Sequence, residues 1–283
     1  MTLGLLHPGE MGASGGAHAR CTTEVMWASR GRSEATRRRA TESGLVDVGD
    51  LGSLLGQCEV VMSVCPPHAA LELAGIVADT GYRGIYVDAN AVSPETATAI
   101  ARTIEAAGAR FVDGGIIGPP AHRAGTTRLF LAGDDAASIA RLFDGSPLGT
   151  VTLGTGTPAA SALKMAYAAY TKGTTALLLA IRALARRHGV EGALLEEWQT
   201  SQPELVRRSE VGSLRAAPKA WRFIAEMDEI AATFDGAGLP DGFHRAASEI
   251  YSRLERFKDD PDSALELDQL LAAILGRERD PRT

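Results

Sequence analysis

The chain has 283 residues, 45% hydrophobic and 5% aromatic, with a formal net charge of −6 at neutral pH. Its length fits one large globular domain or two of ordinary size, and the acidic balance argues against a nucleic-acid binder, whose phosphate contacts need a basic face. No stretch reaches the ~18 uninterrupted apolar residues of a membrane span, and the amino terminus lacks a basic region followed by an apolar one, so the expectation is a cytoplasmic protein with no membrane partner.

In chain order, residues 3–6 read as a short buried strand that breaks into His7-Pro8-Gly9-Glu10-Met11-Gly12 before a small-residue helix through Gly15, Gly16 and Ala17. A strand turning over glycines into a helix gathers free backbone N–H groups and the positive end of a dipole, which suits a diphosphate. Against Gly-x-Gly-x-x-Gly, Gly9 and Gly12 match the second and third glycines while His7 stands at the first. Alone, the degraded motif fits a plain turn as well as a nucleotide site. The context adds weight. Residues 24–28 form a second strand ending in Ser29-Arg30-Gly31-Arg32-Ser33, where an acid would hold the ribose of NAD and an arginine would accept the 2′-phosphate of NADP. No acid stands at that tip and Arg30 and Arg32 flank it, which favours NADP; the competing reading is a solvated basic surface that continues into Arg37-Arg38-Arg39.

Further strands are expected at residues 59–64, 84–88 and 110–112, alternating with helices, which implies a doubly wound, mostly parallel α/β sheet of Rossmann type. Residues 128–132 and 150–153 would complete it with a mixed edge. Ligands on such sheets bind beyond the carboxyl ends of the strands. Here those ends carry Val64-Cys65-Pro66-Pro67, Asp88-Ala89-Asn90 and the run from Asp113 to Pro120. Cys21, Cys58 and Cys65 have neither metal-ligand nor redox spacing, and the histidines are scattered, so reduced thiols and no metal are expected.

A long helix follows at residues 157–188, with Thr157 at the N-cap, Pro158 at the first helical position, and Arg186, Arg187 and His188 before Gly189. Its first half is small and apolar on every side, so it should be enclosed by other protein. Lys164 is the ionisable group there, with Tyr167 and Thr171 on its face. Such a lysine is either a proton-transfer group with a depressed pKa or one whose stem packs while its ammonium reaches water. Beyond Gly189 the pattern is helical, broken near Pro203, Pro218, 236–240 and 259–261. The division is thus an α/β domain at 1–156 and an all-α domain at 157–283, joined by the long helix, with a polar tail from Gly276. Trp198, Trp221 and Tyr251 read as core or subunit contacts.

The order of these motifs resembles the β-hydroxyacid dehydrogenase family, which includes 3-hydroxyisobutyrate dehydrogenases and is related to 6-phosphogluconate dehydrogenase. The segment from His7 to Gly12 resembles Gly-Leu-Gly-x-Met-Gly in its last four positions, and Ser29-Arg30 looks like the Asn-Arg of members using NADP. Cys65-Pro66 matches a Leu-Pro, residues 88–94 echo Asp-x-Ser-Thr-x-x-Pro, and residues 113–119 fall on the substrate motif Asp-Ala-Pro-Val-Ser-Gly-Gly. Residues 154–164 look like the segment that places the family's catalytic lysine, here Lys164. The resemblance covers nearly the whole chain, to about residue 260. It implies cofactor contacts from Pro8, Gly9, Glu10, Met11, Gly12, Ser29, Arg30, Ser33, Val64, Cys65, Pro66 and Asn90. It implies substrate contacts at Ile117, Gly118, Pro119, Tyr167, Ala168 and Thr171, with His122 a further candidate.

The departures matter. Ile117 replaces the family's substrate-binding Ser, Ala168 the Asn after the lysine, and Met227 the Lys of a Lys-Asp pair of which Asp228 remains. The segments around Ile116, Thr126 and Leu163 look more like a divergent phosphogluconate-dehydrogenase-like subgroup with its own C-terminal domain. The resulting expectation is an NADP-dependent oxidoreductase, NAD being less favoured, acting on a small hydroxyacid or carbonyl with Lys164 as general acid/base. Imine reduction on the same architecture, or nucleotide binding without turnover, is the alternative. The long apolar helix further implies a homodimer.

Overall fold

The computed structural model describes residues 1–154, 156, 158–258 and 265–276. Thr157, the expected N-cap, the polar tail after Gly276 and the expected break at 259–261 lie outside the described residues. Two compact units emerge, residues 1–165 and 166–283.

In the first unit β1 (Leu3–Leu5) turns into α1 (Glu10–Ala19), followed by β2 (Val25–Trp27), α2 (Glu34–Glu42), β3 (Val46–Asp47), α3 (Leu51–Gln57), β4 (Val60–Ser63), α4 (Pro67–Asp79), β5 (Ile85–Asp88) and α5 (Pro94–Ala106). Then come β6 (Arg110–Ile117), β7 (Arg128–Ala132), α6 (Ala136–Ala140) and β8 (Gly149–Thr152). Among the described residues the strands form one sheet in the order β3-β2-β1-β4-β5-β6-β7-β8, parallel throughout except for the antiparallel β6–β7 pair. The mixed edge arises because β6 runs to Ile117 and the short loop after it can only return antiparallel. Strands β1, β2, β4 and β5 are buried along their whole length, since helices cover both faces. Successive side chains feed opposite cores: Val60 and Met62 join one apolar cluster, Val61 the other. Strand addition reverses direction between β1 and β4, the point at which ligands bind on such sheets.

Two strands differ from the sequence expectation. The two-residue β3 is too short for any hydrophobic pattern to mark, and both its residues are exposed. Strand β6 continues five residues past the expected 112. The Gly114-Gly115 pair that suggests a loop is instead a packing device: a Cβ on Gly114 would come within 2.8 Å of the Asp88 carbonyl oxygen, and one on Gly115 within 2.7 Å of that of Ala160.

The long helix, α7 (Ala159–Arg187), starts in the first unit and runs on into the second. The boundary falls after Met165, beyond the expected 156, because the carboxylate of Asp113 in β6 accepts the Ala160 N–H at 2.7 Å and the Ser161 N–H at 3.0 Å, tying the first helical turns to the sheet. The second unit adds α8 (Glu191–Ser201), α9 (Glu204–Ala216), α10 (Ala220–Gly236), α11 (Gly242–Ser252) and α12 (Leu267–Leu275), with Pro203 and Pro218 at breaks. Leu179, Trp198, Met227, Ile230, Tyr251 and Leu270 lie in its core. The Tyr251 hydroxyl donates to the Lys172 carbonyl at 2.8 Å, and Lys172 pairs with Glu226 at 2.7 Å. The first half of α7 is not closed on every side: Tyr167 and Tyr170 are 48% and 61% exposed. Among the described residues no helix is long and apolar enough to cross a membrane.

Candidate active site

The expected cofactor loop lies at the carboxyl end of β1. Gly9 precedes α1 with no side-chain cap, so the first turn presents backbone N–H groups outward. Gly12 is required: a Cβ there would run into the carbonyl oxygen of His7, whereas one on Gly9 would meet nothing within 4 Å. The loop is therefore close-packed where the helix must approach the strand, and open where a ligand would lie. Pro8 is buried, Gly9 and Met11 are half-buried and Glu10 is exposed.

Two guanidinium groups brace this loop. Arg32 donates to the Leu6 carbonyl at 3.0 Å and Arg39 to that of Pro8 at 3.1 Å. His7 stands beside them with its Nδ1 buried and without a hydrogen-bond partner. Burial first, and then the charge of Arg32, push the His7 ring down to about 4, so it is neutral at physiological pH.

At the tip of β2 the arginines divide. Arg30 has a side chain 79% exposed and pairs with Asp50 at 3.2 Å. Asp50 in turn caps α3 by accepting the Ser53 N–H at 2.9 Å. Ser29 is buried and bonded to Asp47 at the end of β3, and Ser33 caps α2 by accepting the Thr36 N–H. Two carboxylates thus stand at a tip where the sequence shows none, because they arrive from the neighbouring strand and the helix after it.

At the tips of β4 and β5, Asn90 is 2% exposed and holds the two loops together: its Oδ1 accepts the Cys65 N–H at 2.6 Å and its Nδ2 donates to Ser63 at 3.0 Å. Val64 and Cys65 are half-buried and Pro66 exposed. Burial pushes the Cys65 thiol up to about 11, so it stays protonated.

Lys164 sits at the junction of β6 and α7. Its ammonium donates to the Ile116 carbonyl at 2.7 Å. Three features place it. Asp113 caps the first turn of α7 and also accepts the Ser161 hydroxyl at 2.6 Å. Gly115 admits the helix, since a Cβ there would lie 3.2 Å from the Lys164 Cβ. Gly118 ends the strand at φ +125°, where only glycine fits against Thr127. Burial raises the pKa of Asp113 despite the bonds that oppose the shift.

Of the substrate candidates in this unit, Gly118 and Pro119 are exposed just past the end of β6, whereas Ile117 is 4% exposed and packs within the unit. His122 is exposed on the loop after β6, which is pinned to α1 where Ser14 accepts the Ala121 N–H at 3.0 Å. In the second unit, Tyr167 is exposed, Ala168 is buried, and the Thr171 hydroxyl bonds back to the Tyr167 carbonyl. Asp228 is exposed on α10 and Met227 fully buried. No group of three metal-ligating side chains occurs among the described residues.

Residues 185–254 match a family described as a domain of unknown function, DUF1932. A protein of Methanothermus fervidus, described as an uncharacterized 28.5 kDa protein in the 7S RNA 5′ region, is 28% identical over 233 residues, 81% of this chain and 90% of that protein. A solved structure of a conserved protein of unknown function, described as structurally similar to 3-hydroxyacid dehydrogenases, is 27% identical over 91% of this chain and 98% of its own, with a TM-score of 0.66. The Mycobacterium tuberculosis 3-hydroxyisobutyrate dehydrogenase with L-serine gives a TM-score of 0.70 at 14% identity over 96% and 98% of the two chains. A reductive aminase from Aspergillus terreus with NADPH, cyclohexanone and allyl amine gives 0.56 at 17% identity over 95% and 98%. The last two likenesses are of fold.

Proposed function

Starting from the fold that this chain shares with 3-hydroxyisobutyrate dehydrogenases, we propose that it is an NADP-dependent oxidoreductase of small hydroxyacids or the corresponding carbonyls. The observation that carries the reading is the Lys164 ammonium, held 2.7 Å from the Ile116 carbonyl at the carboxyl end of β6, on the edge where the open Gly9 loop also lies. The open space at Gly9, the close approach at Gly12 and the uncapped start of α1 fit the diphosphate of a dinucleotide. Such a cofactor supplies hydride transfer at its nicotinamide. The chain's own part is to bind, orient and move a proton. Lys164 gives a proton to the substrate oxygen in the reducing direction and takes one in the other, and Gly118 and Pro119 wall the reacting carbon. Tyr167 and Thr171 are proposed to position the substrate. NADP is favoured over NAD because of the arginines of the β2 tip, with Arg32 better placed than Arg30, which already has a carboxylate partner.

The test separates binding from turnover. NADPH and NADH are titrated against wild type and Lys164→Ala by nicotinamide fluorescence, and both proteins are assayed on 3-hydroxyisobutyrate, L-serine, small aldehydes and preformed imines. The variant should bind NADPH within about threefold of wild type and lose about 100- to 10,000-fold in turnover, the size of a general acid–base contribution. Undiminished turnover would remove Lys164 from the proton step, and wild type that binds neither nucleotide would remove the reading. An imine substrate is the second reading, favoured by the apolar Ile117 and Ala168 at positions that need polar groups for a hydroxyacid. Turnover confined to imines would establish it.

We also propose a homodimer. Tyr170, Leu177 and Leu184 recur every seven residues on α7 and are 61%, 42% and 60% exposed, an apolar stripe on a helix that other protein should cover. Light scattering at micromolar concentration should give twice the 29.7 kDa chain mass, and a monomer would refute the dimer.

A further inference from the structure

The residue at the first glycine of the loop motif has a side chain, and that side chain carries a buried nitrogen with no hydrogen-bond partner. His7 lies between the carboxyl end of β1 and the start of α1, half-buried, with Arg32 on the neighbouring Leu6 carbonyl. Its ring is neutral, so one nitrogen carries a proton and the other does not. Nδ1 is buried with no partner. A buried N–H without an acceptor costs more than a buried lone pair without a donor, and such orphaned N–H groups are rare in proteins. The favoured tautomer therefore leaves Nδ1 bare and puts the proton on Nε2.

We propose that His7 is a cofactor-binding residue, its Nε2–H donating to an oxygen of the dinucleotide's diphosphate at the mouth of the Gly9 loop. A side-chain donor thereby joins the backbone N–H groups of α1 at a position where a glycine motif offers none. The two arginines complete the device: by holding the Leu6 and Pro8 carbonyls they occupy acceptor oxygens that would otherwise repel an incoming anion. The inference rests on the dinucleotide reading above and adds a specific contact to it.

The experiment uses the full chain and three probes: NADPH, ADP-ribose and adenosine, which carries no phosphate. His7→Leu keeps the bulk and loses the donor; His7→Gln keeps an N–H at similar reach; His7→Gly restores the glycine. His7→Leu should weaken NADPH and ADP-ribose about tenfold, the size of one hydrogen bond to a charged group, and leave adenosine unchanged. His7→Gln should recover most of the loss. Should His7→Leu fail to fold, as shown by its thermal melt, His7→Gly decides by the same loss. Wild-type affinity in His7→Leu, or tighter binding in His7→Gly, would overturn the proposal while leaving the dinucleotide reading intact. Wild type that binds none of the three probes would overturn both.

Discussion

The carboxyl edge of the sheet is built differently at its two ends. At the β6–α7 junction a few groups from two elements fix one lysine: Asp113 caps the helix, Gly115 admits it, and the Ile116 carbonyl receives the ammonium. At the β1–β2–β3 end the charge is shared out, with Arg32 and Arg39 on the glycine loop, Arg30 on Asp50, and Asp47 on Ser29. The first arrangement is rigid and tolerates little change. The second can exchange partners more readily, since its ion pair, Arg30 with Asp50, is solvated and screened.

The largest effect is therefore expected at the rigid end. In Gly115→Ala the added Cβ would fall 2.7 Å from the Ala160 carbonyl oxygen and 3.2 Å from the Lys164 Cβ, and both obstacles belong to the same helix. Strand or helix has to shift. Overpacking of this kind costs about 1–3 kcal/mol, and a displacement of about 1 Å at a reacting group costs about 100-fold in rate. Urea unfolding should show the first, turnover the second, and NADPH affinity should stay near that of wild type. Equal loss at both ends of the edge would show that the junction is not separable from the cofactor loop.

This contrast also explains how far the sequence could be read. Seven of the eight strands and the long helix follow from local patterns, apolar runs of strand length and a capped run of small apolar residues, and Lys164 stands out as the ionisable group in the apolar half of that helix. The extension of β6 through Gly114 and Gly115 is hidden, because adjacent glycines signal a turn unless one knows that the Asp88 carbonyl and α7 press against them. Asp47 and Asp50 are hidden for a different reason. They stand about twenty residues beyond Arg30, on a two-residue strand with no period and on the helix cap after it, and only strand pairing brings Asp47 level with Trp27. His7 looks in the sequence like a defect in a motif, and its surroundings give it a donor's placement.

The smaller effects test the exchangeable end. Arg32→Ala should weaken NADPH about tenfold and NADH less, because a charge-assisted contact to phosphate is lost where the side chain already lies over the loop. Arg30→Ala should change NADPH affinity by no more than about twofold, since that guanidinium is solvated and neutralised in its pair with Asp50. Asp50→Asn sharpens the comparison in the opposite direction. It removes the carboxylate from Arg30, so NADPH should bind up to about twofold tighter at low salt and the gain should fade as ionic strength rises. Fluorescence titrations at two salt concentrations decide between the arginines. A large loss in Arg30→Ala with none in Arg32→Ala would mean that Arg30 leaves Asp50 to meet the cofactor, and that the ion pair seen here is the resting arrangement of the residue that reads the phosphate.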